Sequence, residues 1–458
     1  MQATLFFTPP SRLVRLFSHA TVLICVTGFD VKRIHRLEAW IHRYSHPAER
    51  VLRKQHDDST RGGHECHSRR RVYPVRCIEE SKAQRTNDSL SDLAVGSKEY
   101  LVMESAKNIT LVALAVLAAA LILPISHASA QDDAWRTWAP EQEVSGVRLH
   151  IDNDLFAVRN LDRDYTGGVA LTLSGTAARD GFLSLDPVLK SIDGLFEGSP
   201  AASVRHARQI GLIAFTPTDI VTAEAQQADR PYASLLFASN GRVRIDADDR
   251  GAWSSSLTVG VLGLQLSKSA TDIIHQAVGS EAPEGYDHQI SNGGEPTARY
   301  MLARHNLVYA DPTGHIDVKT TVEGSVGYLT HASASVTVRV GRFDTPWWSF
   351  APELTDYVAA PTPTESLGQQ REMYFFAGAR VKAVAYNAFL QGQFRSSDVR
   401  YSYDEIEPIV VQAWVGVMTQ LFPNTELSYA LHYETAELSE GNADREVFWG
   451  GVQLAHSF

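Results

Sequence analysis

Cysteine is scarce in this sequence. The three cysteines, Cys25, Cys66 and Cys77, all lie near the beginning of the chain, so residues 131–458 contain none. That long segment therefore has neither a disulfide nor a thiolate nucleophile. The three cysteines also lack the spaced second pair of ligands that a zinc site needs. We expect them to have no structural or catalytic role.

Positive charge is scarce once the first 130 residues are set aside. Residues 131–458 contain 24 Lys and Arg against 41 Asp and Glu, a net charge of −17. No basic stripe is present that could neutralise the phosphates of a nucleic acid, which argues against DNA or RNA as a partner. An acidic surface is compatible with an environment in which divalent cations mediate contact with phosphorylated lipids.

Long apolar runs are limited to one, ITLVALAVLAAALILPI at residues 109–125. Lys107 precedes the run and Ala-Ser-Ala follows it at 128–130, which is the arrangement of a secretory signal peptide. A short membrane anchor is the alternative, because the run approaches the length of the shortest spanning helices. We expect residues 103–130 to be the signal peptide and 131–458 the functional domain. Residues 1–102 would be an over-extended translation start or a disordered leader.

Residues 131–458 contain many short segments in which apolar and polar residues alternate. One parity carries aliphatic and aromatic side chains and the other small or polar ones, which is typical of strands between lipid and a lumen. The final segment, Arg445–Phe458, ends in an aromatic residue, as the closing strand of an outer-membrane barrel does. We predict an all-β fold, a transmembrane antiparallel β-barrel of about twelve strands. A soluble β-sandwich is the alternative. Besides the closing strand, the clearest segments are 169–173, 257–261, 316–322, 336–340, 373–381, 409–417 and 427–433.

Aromatic residues near the ends of these segments suggest the girdles that mark the two membrane interfaces. Tyrosine and tryptophan suit this position because their rings are apolar and carry one polar atom. The candidates are Tyr328, Trp347, Trp348, Tyr374, Tyr401, Tyr403, Tyr433 and Trp449.

One segment, Ser269–Gly279, has helical rather than alternating spacing of its apolar residues. Ser269 and Asp272 resemble a capping box, and Gly279 is placed as a C-cap. We therefore expect a short amphipathic helix in an extracellular loop. His275 lies beside its apolar face, where a lone histidine is more often structural than catalytic. A polar strand end elsewhere in the chain could supply partners that favour a catalytic role.

That strand end lies in His150–Gly168, HIDNDLFAVRNLDRDYTGG. The segment begins as an alternating strand and then breaks into Asn153 and Asp154. A second polar turn and Thr166 follow before the next strand begins. Most hairpins need only a short turn at this point. An amide, several carboxylates and a hydroxyl together can hold a hard cation and polarise a carbonyl, so the joint is a candidate site.

These residues carry a resemblance to a known family. The blocks NDLF, DRDYTGG, DRPYAS (229–234), GVLG (260–263) and EGYDHQ (284–289) occur in an order and at spacings similar to those of the outer-membrane lipid A 3'-O-deacylases. The resemblance covers the first half of residues 131–458. It implies a twelve-stranded barrel in the Gram-negative outer membrane. It also implies a Ca²⁺-dependent esterase that removes the 3'-linked acyl chains of lipid A in lipopolysaccharide. We expect the protein to be a monomer.

The resemblance also implies a role for individual residues. His275 would be the general base that takes a proton from water, and Asp154 would help to hold Ca²⁺. Asn153 and Thr166 would orient water or stabilise the oxyanion. Where the family usually has Gln one helical turn before the histidine, this chain has Thr271. Glu281 could be a further calcium ligand, although a solvated loop carboxylate is the simpler interpretation.

No G-x-S-x-G nucleophile elbow occurs in the sequence, which is consistent with attack by water rather than by serine. Two alternatives to the lipid A esterase remain open at this point. One is a catalytically degenerate barrel with a structural or pore function. The other is an outer-membrane phospholipase that uses the same His and Ca²⁺.

Overall fold

The structure, a computed structural model, describes residues 140–157, 164–196, 201–265, 283–365 and 371–458. The expected leader, signal peptide and loop helix at 269–279 lie outside these residues. Twelve antiparallel strands close into one barrel, in which β1 pairs with both β2 and β12. They are β1 (Gly146–Asn153), β2 (Asp164–Ser174), β3 (Ser203–Thr216), β4 (Ala233–Ile245), β5 (Gly251–Leu262), β6 (Glu295–Ala310), β7 (Ile316–Gly327), β8 (Leu329–Arg342), β9 (Met373–Asn387), β10 (Ile409–Phe422), β11 (Thr425–Glu434) and β12 (Val447–Ser457).

The alternating segments of the sequence form strands of this barrel, so the predicted fold is confirmed. Leu171, Val326 and Phe375 lie on the outer parity and are exposed, as lipid-facing side chains are. Thr172 and Glu323, on the inner parity, are buried in the lumen. The short helices in the described residues lie in connections and are α1 (Thr176–Asp180), α2 (Asp186–Asp193) and α3 (Ala388–Gln391). No helix in the described part of the chain is long and apolar enough to cross a membrane.

The two ends of the barrel differ in their connections. At one end, β1 begins at Gly146 and β12 ends at Ser457. The short turns 246–250, 311–315 and 423–424 lie at the same end. Short turns mark the periplasmic end of an outer-membrane barrel. The opposite, extracellular end therefore carries the joint between β1 and β2 and the longer connections 217–232, 263–294, 388–408 and 435–446.

The lumen is filled by residues 343–365, here called the lumenal loop, which enter from the periplasmic end between β8 and β9. Tyr357 of this loop packs against Phe215, with ring centroids 4.7 Å apart. Gln209 Nε2 donates to the Ala359 carbonyl at 2.9 Å. At Gly241 any Cβ would lie 2.2 Å from the Pro361 carbonyl oxygen, so only glycine allows the loop to lie this close to the wall. A lumen filled in this way argues against the pore alternative.

Of the eight residues predicted to form aromatic girdles, seven are buried and Tyr403 alone is exposed, and four of the seven fill the lumen. Trp347 and Trp348 belong to the lumenal loop and are buried in the barrel. Tyr374 and Trp449 have the inner parity of their strands and are also buried, and the Trp449 ring stacks on His432 at 4.9 Å. Aromatic residues at strand ends serve the filled lumen here because the lumenal loop needs large apolar partners.

Buried ion pairs join the lumenal loop to the barrel wall. Arg380 of β9 donates to the carbonyls of Glu353 and Thr355, at 2.8 and 3.0 Å, and pairs with the Asp356 carboxylate. Lys319 of β7 lies 3.0 Å from the Glu353 carboxylate. Since charges are buried stably only when they are paired, these contacts fix the position of the loop.

Candidate functional site at the extracellular end

The joint between β1 and β2 brings three of the predicted site residues together. β1 ends at Asn153, and a 3₁₀ turn begins at Asp154. The facing strand has a register shift between Asp164 and Gly167, which is a β-bulge. Asn153 Nδ2 donates to the Thr166 carbonyl at 2.7 Å across this joint. Thr166 Oγ1 in turn lies 2.8 Å from Thr216 Oγ1 of β3.

The strand parity separates these residues from the neighbouring aspartate. Asp152 faces the lumen, where its Oδ1 lies 2.7 Å from His150 Nε2. Asn153 shares the parity of Leu149 and Ile151, which are partly exposed on the outer wall. Asp154, which follows in the 3₁₀ turn, is buried. Asp152 therefore has a side-chain partner in the lumen, and we do not assign it to the candidate site.

The carboxylate that precedes Thr166 in the second turn is also engaged in an ion pair. Arg445 donates to Asp164 with Nε and Nη2, at 2.8 and 2.7 Å, and to Asp229 with Nη2 at 2.8 Å. Burial alone would raise the pKa of Asp229, but the Thr218 backbone N–H and the Arg445 guanidinium outweigh it, so this pKa lies below its ordinary value. Arg445 thus links the loop of β11 and β12 to the candidate site.

The other blocks that carry the resemblance pack against each other at the same end. Ser234 Oγ donates to Gln289 Oε1 at 3.0 Å, and the Tyr232 and Tyr286 rings lie 4.7 Å apart. Gly263 donates its backbone N–H to the Ser234 carbonyl at 2.8 Å. Its φ of 74° favours glycine, and a Cβ there would collide with backbone oxygens. The three blocks therefore form one cluster, although Ser234 and Gln289 are 55 residues apart in sequence.

A second buried ion pair connects this cluster to the lumenal loop. Arg230 Nη1 lies 2.6 Å from Glu437 Oε2, and the Tyr357 hydroxyl donates to Glu437 Oε1 at 2.6 Å. The Arg230 guanidinium also lies 4.4 Å from the centre of the Phe215 ring. Loop 435–446, the DRPYAS block and the lumenal loop are consequently held as one unit.

Sequence reasoning missed three participants, Thr216, Glu437 and Arg445. Each is far in sequence from its partner, and no motif marks it. A closed antiparallel barrel places the loops before β4 and β12 at the same end as the β1–β2 joint. That shared position is the signal by which the sequence could have pointed to these residues.

Three predicted residues lie outside the part of the chain that the structure describes. They are His275, the expected general base, together with Thr271 and Glu281. The connection that carries them runs between β5 and the 3₁₀ helix Gly285–His288, both at the extracellular end. Their roles remain predictions from the sequence.

Two places in the described structure offer groups for a cation. At the β1–β2 joint, Asn153, Asp154 and Thr166 provide oxygen atoms, which is the donor chemistry that Ca²⁺ prefers. In the lumen, Glu323, His331 and Asp356 bring their ligand atoms within 4.8 Å of one another.

The lumenal group does not fit calcium. One of its three ligands is a histidine nitrogen, which a hard cation does not favour. Its carboxylates are also paired with arginines, since Arg299 Nη2 lies 2.6 Å from Asp356 and Arg380 Nη1 lies 3.1 Å from Glu323. The oxygen donors at the joint therefore fit Ca²⁺ better than the lumenal group does.

Comparison with known proteins extends this description. The family model described as "Outer membrane protein LpxR" matches residues 112–458. LpxR from Salmonella typhimurium has a similar structure, with a TM-score of 0.52 at 17% identity, over 69% of this chain and 100% of that one. The β domain of the Bordetella autotransporter BrkA has a TM-score of 0.34 at 10% identity, over 69% of this chain and 100% of that one. A comparison with curated proteins finds no match.

Proposed function

Because this chain belongs to the outer membrane protein LpxR family, and is thus an outer-membrane barrel of the lipid A deacylase type, we propose that it hydrolyses the 3'-linked acyl esters of lipid A. The substrate would be lipopolysaccharide, whose acyl chains lie in the outer leaflet. The observation that supports the proposal is the hydrogen bond from Asn153 Nδ2 to the Thr166 carbonyl at the extracellular end. Asp154 follows directly after Asn153 in the 3₁₀ turn. The DRPYAS block lies beside this joint, because Arg445 pairs with both Asp164 and Asp229.

In the proposed reaction His275 takes a proton from water while the water oxygen attacks the ester carbonyl carbon. The tetrahedral intermediate then collapses, and the bond between the acyl carbon and the sugar oxygen breaks. The protonated His275 gives its proton to that sugar oxygen. The products are a fatty acid and a lipid A with a free 3'-hydroxyl group, so no serine nucleophile is needed.

Asn153 and Thr166 would orient the water or stabilise the oxyanion. Both are held in place by contacts within the barrel wall, because Asn153 donates to Thr166 and Thr166 contacts Thr216. Fixed donors stabilise a developing negative charge more than mobile ones do, since they need no reorganisation during the reaction. The 2.7 and 2.8 Å contacts therefore support an oxyanion or water-positioning role.

Asp154 is the residue that we propose as a Ca²⁺ ligand. Bound Ca²⁺ would polarise the ester carbonyl as a Lewis acid. The carboxylate of Asp154 follows directly after Asn153, and it is 99% buried, whereas an exposed loop aspartate would be hydrated. Burial near other oxygen donors suits a carboxylate that holds a hard cation.

Replacing Asp154 by Asn tests this assignment. The change keeps an oxygen ligand and removes one negative charge, so we expect about tenfold more Ca²⁺ to be needed for half-maximal activity. EDTA should abolish the activity of the wild-type protein, and added Ca²⁺ should restore it. The assay measures deacylation of purified lipid A in detergent. Asp248→Asn, in an exposed periplasmic turn, is the matched control and should behave as wild type. Activity that EDTA does not reduce would refute the role of calcium.

A further inference from the structure

The connection between β2 and β3 lies on the outside of the barrel. Its helices α1 and α2 contact side chains of β3 to β6 that have the outer, lipid-facing parity. Asn240 Nδ2 donates to the Ala178 carbonyl at 2.9 Å, and Asn240 shares the parity of the exposed Leu236. Arg208 Nη1 donates to the Phe182 carbonyl at 2.9 Å, and Arg208 shares the parity of the exposed Ile210. Residues 175–196 thus form a helical segment against the outer wall, here called the outer segment.

The outer segment attaches to the wall through its charged residues. Asp193 of α2 is fully buried and lies 2.9 Å from Arg242 Nη1. It also accepts hydrogen bonds from Ser255 Oγ at 2.8 Å and from the Tyr300 hydroxyl at 3.0 Å. Asp186, the first residue of α2, lies about two helical turns before Asp193, and its Oδ1 is 3.5 Å from Arg242 Nε. These polar groups, which lipid would not tolerate on a barrel wall, are removed from lipid by pairing with the segment.

Five apolar residues of the outer segment are exposed, whereas Ala178 and Leu189 are buried. Phe182 and Leu183 are 89% and 79% exposed, and Leu195 is 79% exposed. Leu183 has a φ of 62°, a left-handed conformation that is unfavourable for leucine. A soluble helix pair would show the opposite arrangement, with its apolar face packed and its charges in water. Together the exposed apolar residues are Phe182, Leu183, Val188, Leu195 and Phe196.

The position of the outer segment along the barrel matches the periplasmic side of the membrane. Arg242 lies three residues before the periplasmic end of β4, roughly 10 Å along the strand. Ile210 pairs with Leu171, and both are exposed on the lipid-facing wall. Arg208, which contacts the Phe182 carbonyl, is the next residue of the same parity below Ile210. Phe182 of the outer segment therefore lies beside the lipid-facing band.

We propose that the outer segment is embedded in the inner leaflet of the outer membrane, with its five apolar side chains among the phospholipid acyl chains. The segment would act as a monotopic anchor attached to a transmembrane barrel. The exposed Lys190 of α2 provides a positive charge for a phospholipid phosphate beside the apolar surface. A second copy or a periplasmic protein could also cover an apolar surface, but the position of Phe182 beside the lipid-facing band favours lipid. The inference is independent of the proposed reaction.

Spin labels test the position of the segment directly. The three native cysteines are replaced by alanine in the full chain, and single cysteines are introduced as Phe182→Cys or Leu195→Cys. The labelled proteins are placed in phospholipid vesicles, and collisions with oxygen, which concentrates among acyl chains, are compared with collisions with a water-soluble nickel complex. Leu171→Cys is the lipid-facing control, and Asp248→Cys, in an exposed turn of neighbouring strands, is the water-facing control.

We expect both segment labels to collide preferentially with oxygen, as the label at 171 does, and to be shielded from nickel relative to the label at 248. Preferential collision with nickel at both positions would overturn the proposal. Protection from both reagents would also overturn it, because it would indicate a protein partner or a second copy. In SDS gels an unfolded barrel migrates more slowly than a folded one, so this assay identifies any variant that has not folded. If one of the two variants fails to fold, Val188→Cys on α2 provides a third exposed position.

Discussion

His275→Ala is expected to lower the rate of lipid A deacylation by about 10²- to 10⁴-fold, the usual contribution of a general base. Without the imidazole, water must attack the ester while it keeps its proton, and the sugar oxygen leaves without a proton donor. The ester carbonyl and the oxygen donors at the β1–β2 joint would be unaffected. The loss should therefore appear in kcat, with little change in KM. Mass spectrometry of lipid A from cells that express the variant measures the effect.

His315→Ala is the matched control for this experiment. His315 lies in the exposed periplasmic turn between β6 and β7, where its Nδ1 lies 2.9 Å from Thr313 Oγ1. Its replacement should leave the lipid A profile of the wild-type protein unchanged. A His275→Ala protein that reaches the membrane and still deacylates lipid A at the wild-type rate would exclude His275 as the base.

Arg380→Ala is expected to give the largest loss of stability, about 3–5 kcal/mol in the free energy of unfolding. Arg380 is 1% exposed and joins three strands to the lumenal loop. Its Nη1 donates to Glu323 Oε2 at 3.1 Å, and its Nε donates to Gln412 Oε1 at 2.8 Å. Removing the guanidinium would leave the Glu323 and Asp356 carboxylates buried with one arginine fewer. Urea unfolding followed by gel mobility of the folded barrel measures the change.

Two further variants make the interpretation of this result specific. Arg380→Lys keeps the charge but cannot reproduce the five donors of a guanidinium, so it should recover only part of the stability. Arg342→Ala, at an exposed position near the end of β8, should unfold like wild type. If Arg380→Ala were as stable as Arg342→Ala, the ion pairs would not hold the lumenal loop in place.

The alternation of lipid-facing and lumen-facing residues was enough to predict the closed barrel. It is clearest in β7, where Val322 and Val326 are exposed and Glu323 is buried. It fails in β4, because Arg242 and Arg244 have the outer parity and are nevertheless buried. The outer segment covers this part of the wall, so the strand there does not need apolar residues. Sequence periodicity cannot reveal such a cover.

The lumenal loop could not be predicted for a related reason. A connection of this length reads as an ordinary loop, and the tryptophans in it resemble girdle residues. Trp348 is 1% exposed only because the loop turns into the barrel, and that path depends on contacts such as Gly241 with Pro361. Such contacts join residues more than a hundred positions apart, and no local pattern records them.

At the candidate site, the sequence predicted the polar joint between β1 and β2. It did not predict which of the polar side chains face the lumen and which lie on the outer side of the barrel wall. Asn153, Asp154 and Thr166 were expected together, and the structure brings Asn153 and Thr166 into contact. The sequence suggested that several carboxylates of this joint could hold a cation. In the structure Asp152 pairs with His150, and Asp164 pairs with Arg445. These pairings assign both carboxylates to protein partners, and the pairing of Asp164 with Arg445 depends on the closed sheet.

The most direct test of the central claim is the reaction of the purified wild-type protein with lipid A and with phospholipid in the same detergent and Ca²⁺. Mass spectrometry of both substrates identifies the products. We predict lipid A species that have lost only 3'-linked acyl chains, with a free 3'-hydroxyl group, while the phospholipid remains intact. Unchanged lipid A, with or without conversion of phospholipid to its lyso form, would contradict the proposal.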